Sequence, residues 1–179
     1  MTGNRILDEL PASAQRSLSK SLVSLSAGAV VLEPGERIAQ LLFPTSAVCS
    51  LVVQLDSGDK AETATVGRDG FIDVPLLLGA SVSDVSGFVQ LAGDAYRLAP
   101  KTVLDYCGEH LAFRRALFGY SAFRLHLASR TLACNSYHSI VQRMARWLLL
   151  LEDRIGRVEF RLTHEGLSVM LAEIGRAHV

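Results

Sequence analysis

Apolar and polar residues change their spacing twice along this chain. In residues 5–22, Ile6, Leu10, Leu18 and Leu22 fall on roughly one helical face, with Pro11 interrupting, so a short amphipathic helix is expected. From Gly28 to Leu98 the texture is β-rich. The runs Ala29–Leu32, Ile38–Phe43, Val48–Leu55, Glu62–Val66, Gly87–Leu91 and Ala95–Leu98 are separated by turn sequences. These are Glu33-Pro-Gly-Glu36, Asp56-Ser-Gly-Asp59, Gly67-Arg-Asp-Gly70 and Ala92-Gly-Asp94. Short, evenly spaced strands between Gly/Asp turns predict a compact sandwich or barrel.

Beyond Pro100 the period becomes helical. Proline suits a first helical turn, so Lys101–Glu109 is read as a short helix, bent or ended near Gly108. Two sets of residues then recur every seven positions. One is Phe113, Tyr120, Leu127, Cys134, Val141 and Leu148; the other is Ala116, Phe123, Arg130, Tyr137, Met144 and Leu151. That spacing predicts one helix of roughly 60 Å, facing either its own domain or, more in keeping with its length, a second copy. A strand at Arg157–Leu162 and a helix capped by Thr163, with Glu165 in its first turn, complete the pattern.

Composition refines this picture. The 179 residues are 49% hydrophobic and 20% charged, as expected of a folded domain and not of a disordered chain. The net charge is zero, yet residues 1–100 carry a balance of −4 and residues 101–179 a balance of +4. The polar start has no apolar stretch of the secretory type, and the apolar cluster Trp147–Leu151 is too short to span a bilayer. Cys49, Cys107 and Cys134 lie far apart, which predicts reduced thiols and a cytoplasmic location.

Three stretches resemble the Crp/Fnr family of bacterial transcription regulators, in the family's order. Val66-Gly-Arg-Asp-Gly70 followed by Leu76-Leu-Leu-Gly79 resembles its glycine-rich cassette. Ala133-Cys-Asn135 through Arg143-Met-Ala-Arg-Trp-Leu-Leu149 to Asp153-Arg154 resembles the end of its dimerisation helix. Leu162-Thr-His-Glu-Gly-Leu-Ser-Val-Met-Leu171 resembles the opening of its winged helix-turn-helix. The resemblance implies an α+β chain with three parts. Residues 1–99 would form a double-stranded β-helix (a jelly-roll-like β-roll) with its lead-in helix. Residues 100–154 would form the hinge and long dimerisation helix, and 155–179 an incomplete winged helix-turn-helix.

It further implies a homodimer that binds DNA and a roll that senses an unidentified small molecule. Gly67, Arg68, Gly70, Leu78 and Gly79 would line the effector pocket. The dimer seam would take Phe113, Tyr120, Phe123, Leu127, Cys134, Tyr137, Val141, Met144, Leu148 and Leu151. Arg161, Thr163 and His164 would touch the DNA backbone, since a helix N-terminus with a hydroxyl offers donors to a phosphate. The ending Ile174-Gly-Arg-Ala-His-Val179 also matches the translation of a common sequencing adapter. The natural chain is therefore expected to diverge near Ala172 and to continue into a recognition helix.

Several chemistries are disfavoured by the residues themselves. A cupin metal centre needs inward histidines, and all five (His110, His126, His138, His164, His178) follow the β-rich part. A cyclic-nucleotide site needs a cation for the phosphate, but no Arg or Lys lies between Arg68 and Arg97, and Asp84 falls near the family's arginine position. An iron–sulfur cluster would need several thiolates near the start, and haem would have only Cys49 in the roll. No cofactor and no enzymatic activity are expected. Six arginines without an acid between His110 and Leu151 predict a solvated or acid-paired helix face. Cys134 at the seam is either a small residue that fits or a redox crosslink. The rival to a DNA-binding regulator is a ligand-binding or interaction module built on the same roll.

Overall fold

The computed structural model describes residues 1–156. A 3-10 turn at Leu7–Glu9 leads into α1 (Ala12–Ser17), which Pro11 starts, and a second 3-10 turn at Leu18–Ser21. The single amphipathic helix expected over 5–22 is thus three short pieces. Ile6, Leu10 and Leu18 are buried as anticipated, but Leu22 belongs to a strand and is half exposed. Proline removes the i−4 bond that would join the turns.

Among the described residues, seven strands form two antiparallel sheets. β1 (Leu22–Leu25), β7 (Gly93–Leu98) and β3 (Leu41–Pro44) make one, ordered β1-β7-β3. The other, ordered β2-β6-β4-β5, contains β2 (Val30–Leu32), β6 (Ser86–Leu91), β4 (Val48–Gln54) and β5 (Lys60–Val66). The β-roll is therefore present, with the expected strands shifted by a few residues and β1 added. β1 was missed because Leu22-Val-Ser-Leu25 is short and follows directly on helical turns. It is identified by its pairing, with Leu22 opposite Tyr96 and Val23 opposite Ala95. Gly58, at φ 88°, lets the β4–β5 hairpin close, with Gly58 N–H donating to Leu55 O at 2.9 Å.

Buried Asn4 stitches the lead-in segment to the roll. Its Nδ2 donates to the carbonyls of Pro44 and Gly70, each at 2.8 Å, while its Oδ1 accepts from Ile6 and Leu7 N–H.

Three helices follow. α2 (Pro100–Glu109) begins at the expected proline, and α3 spans Leu111–Tyr137, about 40 Å. The chain then turns at His138, and α4 covers Ile140–Ile155. The expected continuous helix to Leu151 is therefore corrected to two helices. Ser139 is the cause: its Oγ accepts from Gln142 N–H at 3.4 Å while Gln142 Oε1 accepts from Ser139 N–H at 2.9 Å. This reciprocal cap makes a new helix start cheaper than continuing the old one.

Candidate functional site

The N-terminal half of α3 closes the roll. Phe113, Leu117 and Tyr120 recur at four- and three-residue spacing and are buried against it. Phe43 stacks on Phe71 with centroids 5.4 Å apart, and Phe71 meets Tyr120 at 5.3 Å. A Cβ on Gly70 would lie 2.0 Å from the Tyr120 ring, so only glycine admits this contact. Burial pushes the Tyr120 phenol above its ordinary value.

α4 docks on the second sheet through a smaller core of Val48, Leu91, Trp147 and Leu151, flanked by Leu148 and Ile155. Around it the joint turns polar. Trp147 Nε1 donates to Glu62 Oε1 at 2.8 Å, and the same oxygen accepts from Thr65 Oγ1 at 2.7 Å. Arg154, only 4% exposed, places Nε 3.8 Å from Asp69 Oδ1 and donates from Nη1 to Leu150 O at 3.1 Å. A Cβ on Gly67 would sit 2.7 Å from Arg154 Cβ, and one on Gly156 would sit 2.6 Å from the Arg68 guanidinium.

Gly67, Arg68 and Gly70 thus clasp helices. They border neither of the two clefts described below. Leu78 is 64% exposed, and Gly79 ends the 3-10 turn Val74–Leu78 in the left-handed conformation.

A cleft of about 560 Å³ opens where β5, α3 and α4 meet. β5 contributes residues 62–65 and α3 contributes Leu127, Thr131, Cys134 and Asn135. α4 supplies three arginines, Arg143, Arg146 and Arg154, beside Trp147. Among the described residues, one carboxylate, Glu62, lines the cleft beside them. Arg146 Nη1 reaches Thr131 Oγ1 at 3.4 Å.

A second cleft, about 370 Å³, has the opposite character. Glu33, Glu36 and Asp73 line it, with Arg37 and Ser83. Asp73 is buried, and its φ of 73° is the single left-handed value at a non-glycine among the described residues. Burial, and then the Asp84 carboxylate, push its pKa up to about 6. The acid that the sequence places near the family's arginine position therefore acts on a second acid. Cys49, fully buried, is pushed up to about 12 and is held as a neutral thiol, a small hydrophobe in the roll.

The expected dimer seam divides. Phe113, Tyr120 and Leu151 are buried inside the protomer, and Leu148 packs beside Leu151, so these four serve its own core. Leu127 and Cys134 line the basic cleft, and Met144 is half-buried. Phe123, Tyr137 and Val141 are exposed. The seven-residue row left outward on α3 is a different one: Leu111, Phe118, Leu125 and Leu132 are all exposed, the last two at 67% and 71%. Sequence reading missed this row because α3 is apolar on two faces, so either row fits a heptad. The candidate DNA-backbone residues Arg161, Thr163 and His164 lie outside the described residues, as do the segments where a strand and a capped helix were expected.

No family model and no curated protein matches the sequence. Solved structures do match. The c-di-GMP-responsive global regulator CLP of Xanthomonas campestris shares 15% identity at a TM-score of 0.69, over 88% of this chain and 82% of its own. A Crp/Fnr-family regulator from Eubacterium rectale shares 14% identity at 0.72, over 96% and 82%. A CRP-family regulator from Thermus thermophilus shares 18% at 0.66, over 84% and 76%. The fold is that of the Crp/Fnr regulators. Within that fold, the roll and α3 are the parts that the sequence resemblance implied. No described helix is long and apolar enough to cross a membrane.

Proposed function

We propose that this chain is a homodimeric DNA-binding transcription regulator of the Crp/Fnr type, with no catalytic activity of its own. The observation that carries the reading is a likeness extending through roll, α3 and α4 alike, over 88% and 96% of the chain in two regulators. A roll shared with a stand-alone binding module would not require the helices. The exposed row Leu111, Phe118, Leu125 and Leu132 supplies a seam for a symmetric partner, since apolar side chains at seven-residue spacing bury well only against another helix. Arg161, Thr163 and His164 serve as backbone contacts that position the dimer on DNA. Gly67, Arg68 and Gly70 hold the helices to the roll and so transmit a change in it, with Leu78 and Gly79 at the roll surface. CLP is described as responsive to c-di-GMP; the effector of this chain is a separate question.

The test is chromatin immunoprecipitation of the protein tagged at its own locus, run beside Leu125→Asp. Enrichment is expected at discrete, roughly palindromic sites with half-sites about one helical turn apart. Leu125→Asp, on an exposed position, should keep the fold, sediment as a monomer and lose the enrichment. Uniform background with the unaltered protein would overturn the reading in favour of an interaction module.

A further inference from the structure

We propose that the cleft between β5, α3 and α4 binds a compact multivalent oxyanion, held by Arg146 and Arg154. The guanidinium groups of Arg146 and Arg154 both line it. Glu62, the one lining carboxylate among the described residues, already accepts two hydrogen bonds at one oxygen, from Trp147 and from Thr65. Arg154 is only 4% exposed, yet among the described residues its Nε has no hydrogen-bond partner and its nearest acid, Asp69, stands 3.8 Å away. A buried cation so weakly matched is costly, and an oxyanion within reach supplies the missing acceptors.

Arg146 is poised for the same ligand. Its bond to Thr131 is at the long limit, 3.4 Å, and is easily exchanged for a charge-assisted one. Thr131 and Asn135 add neutral donors from α3. Because the lining comes from three elements, an anion there ties α4 to both the roll and α3. Its regulatory meaning rests on the reading given above, in which the segment after α4 binds DNA; its binding does not.

Phosphates and carboxylates share this chemistry, so both are used as probes. Trp147 is the single tryptophan of the chain and lines the cleft, which makes its fluorescence a local reporter. Cys134 lines it too, so ligand should slow alkylation of that thiol. Titration of the whole protein with pyrophosphate and with citrate should give a saturable fluorescence change and protect Cys134, while neutral glucose should do neither. Response to pyrophosphate alone identifies a phosphorylated ligand; response to citrate alone, a polycarboxylate. Arg146→Gln should weaken binding by about tenfold or more, the loss of one charged contact. Arg146→Lys should recover part of it, and Arg130→Gln, at an exposed position outside the cleft, should leave it unchanged. Equal curves for Arg146→Gln and Arg130→Gln, or no saturable response to either anion, would overturn the site. Neither result would touch DNA binding, which the immunoprecipitation reads independently.

Discussion

Two helices dock on one β-roll, and they do so by opposite means. The α3 joint is dry and aromatic: Phe43, Phe71 and Tyr120 pack ring to ring, Phe113 meets Tyr106 edge-on, and Gly70 leaves room for Tyr120. The α4 joint has a four-residue core surrounded by arginines, a shared glutamate and an open cleft. Close packing is indifferent to solutes, whereas a joint of imperfectly paired charges changes strength with whatever ion enters it. The contrast predicts that α3 is held permanently while α4 is adjustable.

The largest contrast should come from one truncation in each joint. Phe113 and Leu151 are both fully buried. Phe113→Ala leaves a cavity in the main core and should cost about 3–5 kcal/mol, seen as a lowered urea midpoint for the whole roll. Leu151→Ala should leave that midpoint closer to its original value, while amide exchange in α4 and alkylation of Cys134 accelerate. Equal losses of global stability from both variants would make the two joints energetically alike and end the distinction.

A smaller and pH-dependent effect belongs to Asp73, directly after the buried pair Phe71 and Ile72. Its folded pKa of about 6 lies above the ordinary aspartate value of 3.8. The neutral form is therefore favoured by folding, and the group's stabilising contribution is present below the lower value and lost as pH rises through about 6. Asp73→Asn keeps a side chain that tolerates the left-handed backbone and removes the charge. It should raise stability by about 1–3 kcal/mol above pH ~7, with the gain shrinking toward pH ~4. Urea titrations of both proteins across that range decide it; a gain independent of pH would show that ionisation is not the cause.

The sequence made the dry joint partly legible and the other hardly at all. Alternation and turn residues located the strands, and the Gly67–Gly70 cassette stood out because glycines bracket two charges. What the cassette touches, Tyr120 and Arg154, lies dozens of residues away and leaves no local trace. The heptad spacing was real, but α3 is apolar on two faces, so period alone could not say which row meets the roll. Arg143 and Arg146 read only as part of a solvated or acid-paired helix face, because their counterpart, the β5 edge from Glu62 to Thr65, joins them only through the fold. Buried Asn4 gave no signal, since nothing distinguishes it from any polar residue near a chain start.

One local signal was available: Ser139-Ile-Val-Gln142 before an apolar run is a helix-start signature inside an apparently continuous repeat. It also gives the smallest prediction. Ser139→Ala removes the acceptor for Gln142 N–H and should cost about 1 kcal/mol. If α4 is an independently adjustable element, that loss should appear as faster amide exchange in the first turn of α4, with α3 unchanged. If instead α3 and α4 behave as one rod bent by packing, alanine favours a continuous helix, and protection across residues 138–142 should rise. The direction of change at those five amides separates a joint that moves from one that is merely kinked, and so decides whether occupancy of the basic cleft has anything to adjust.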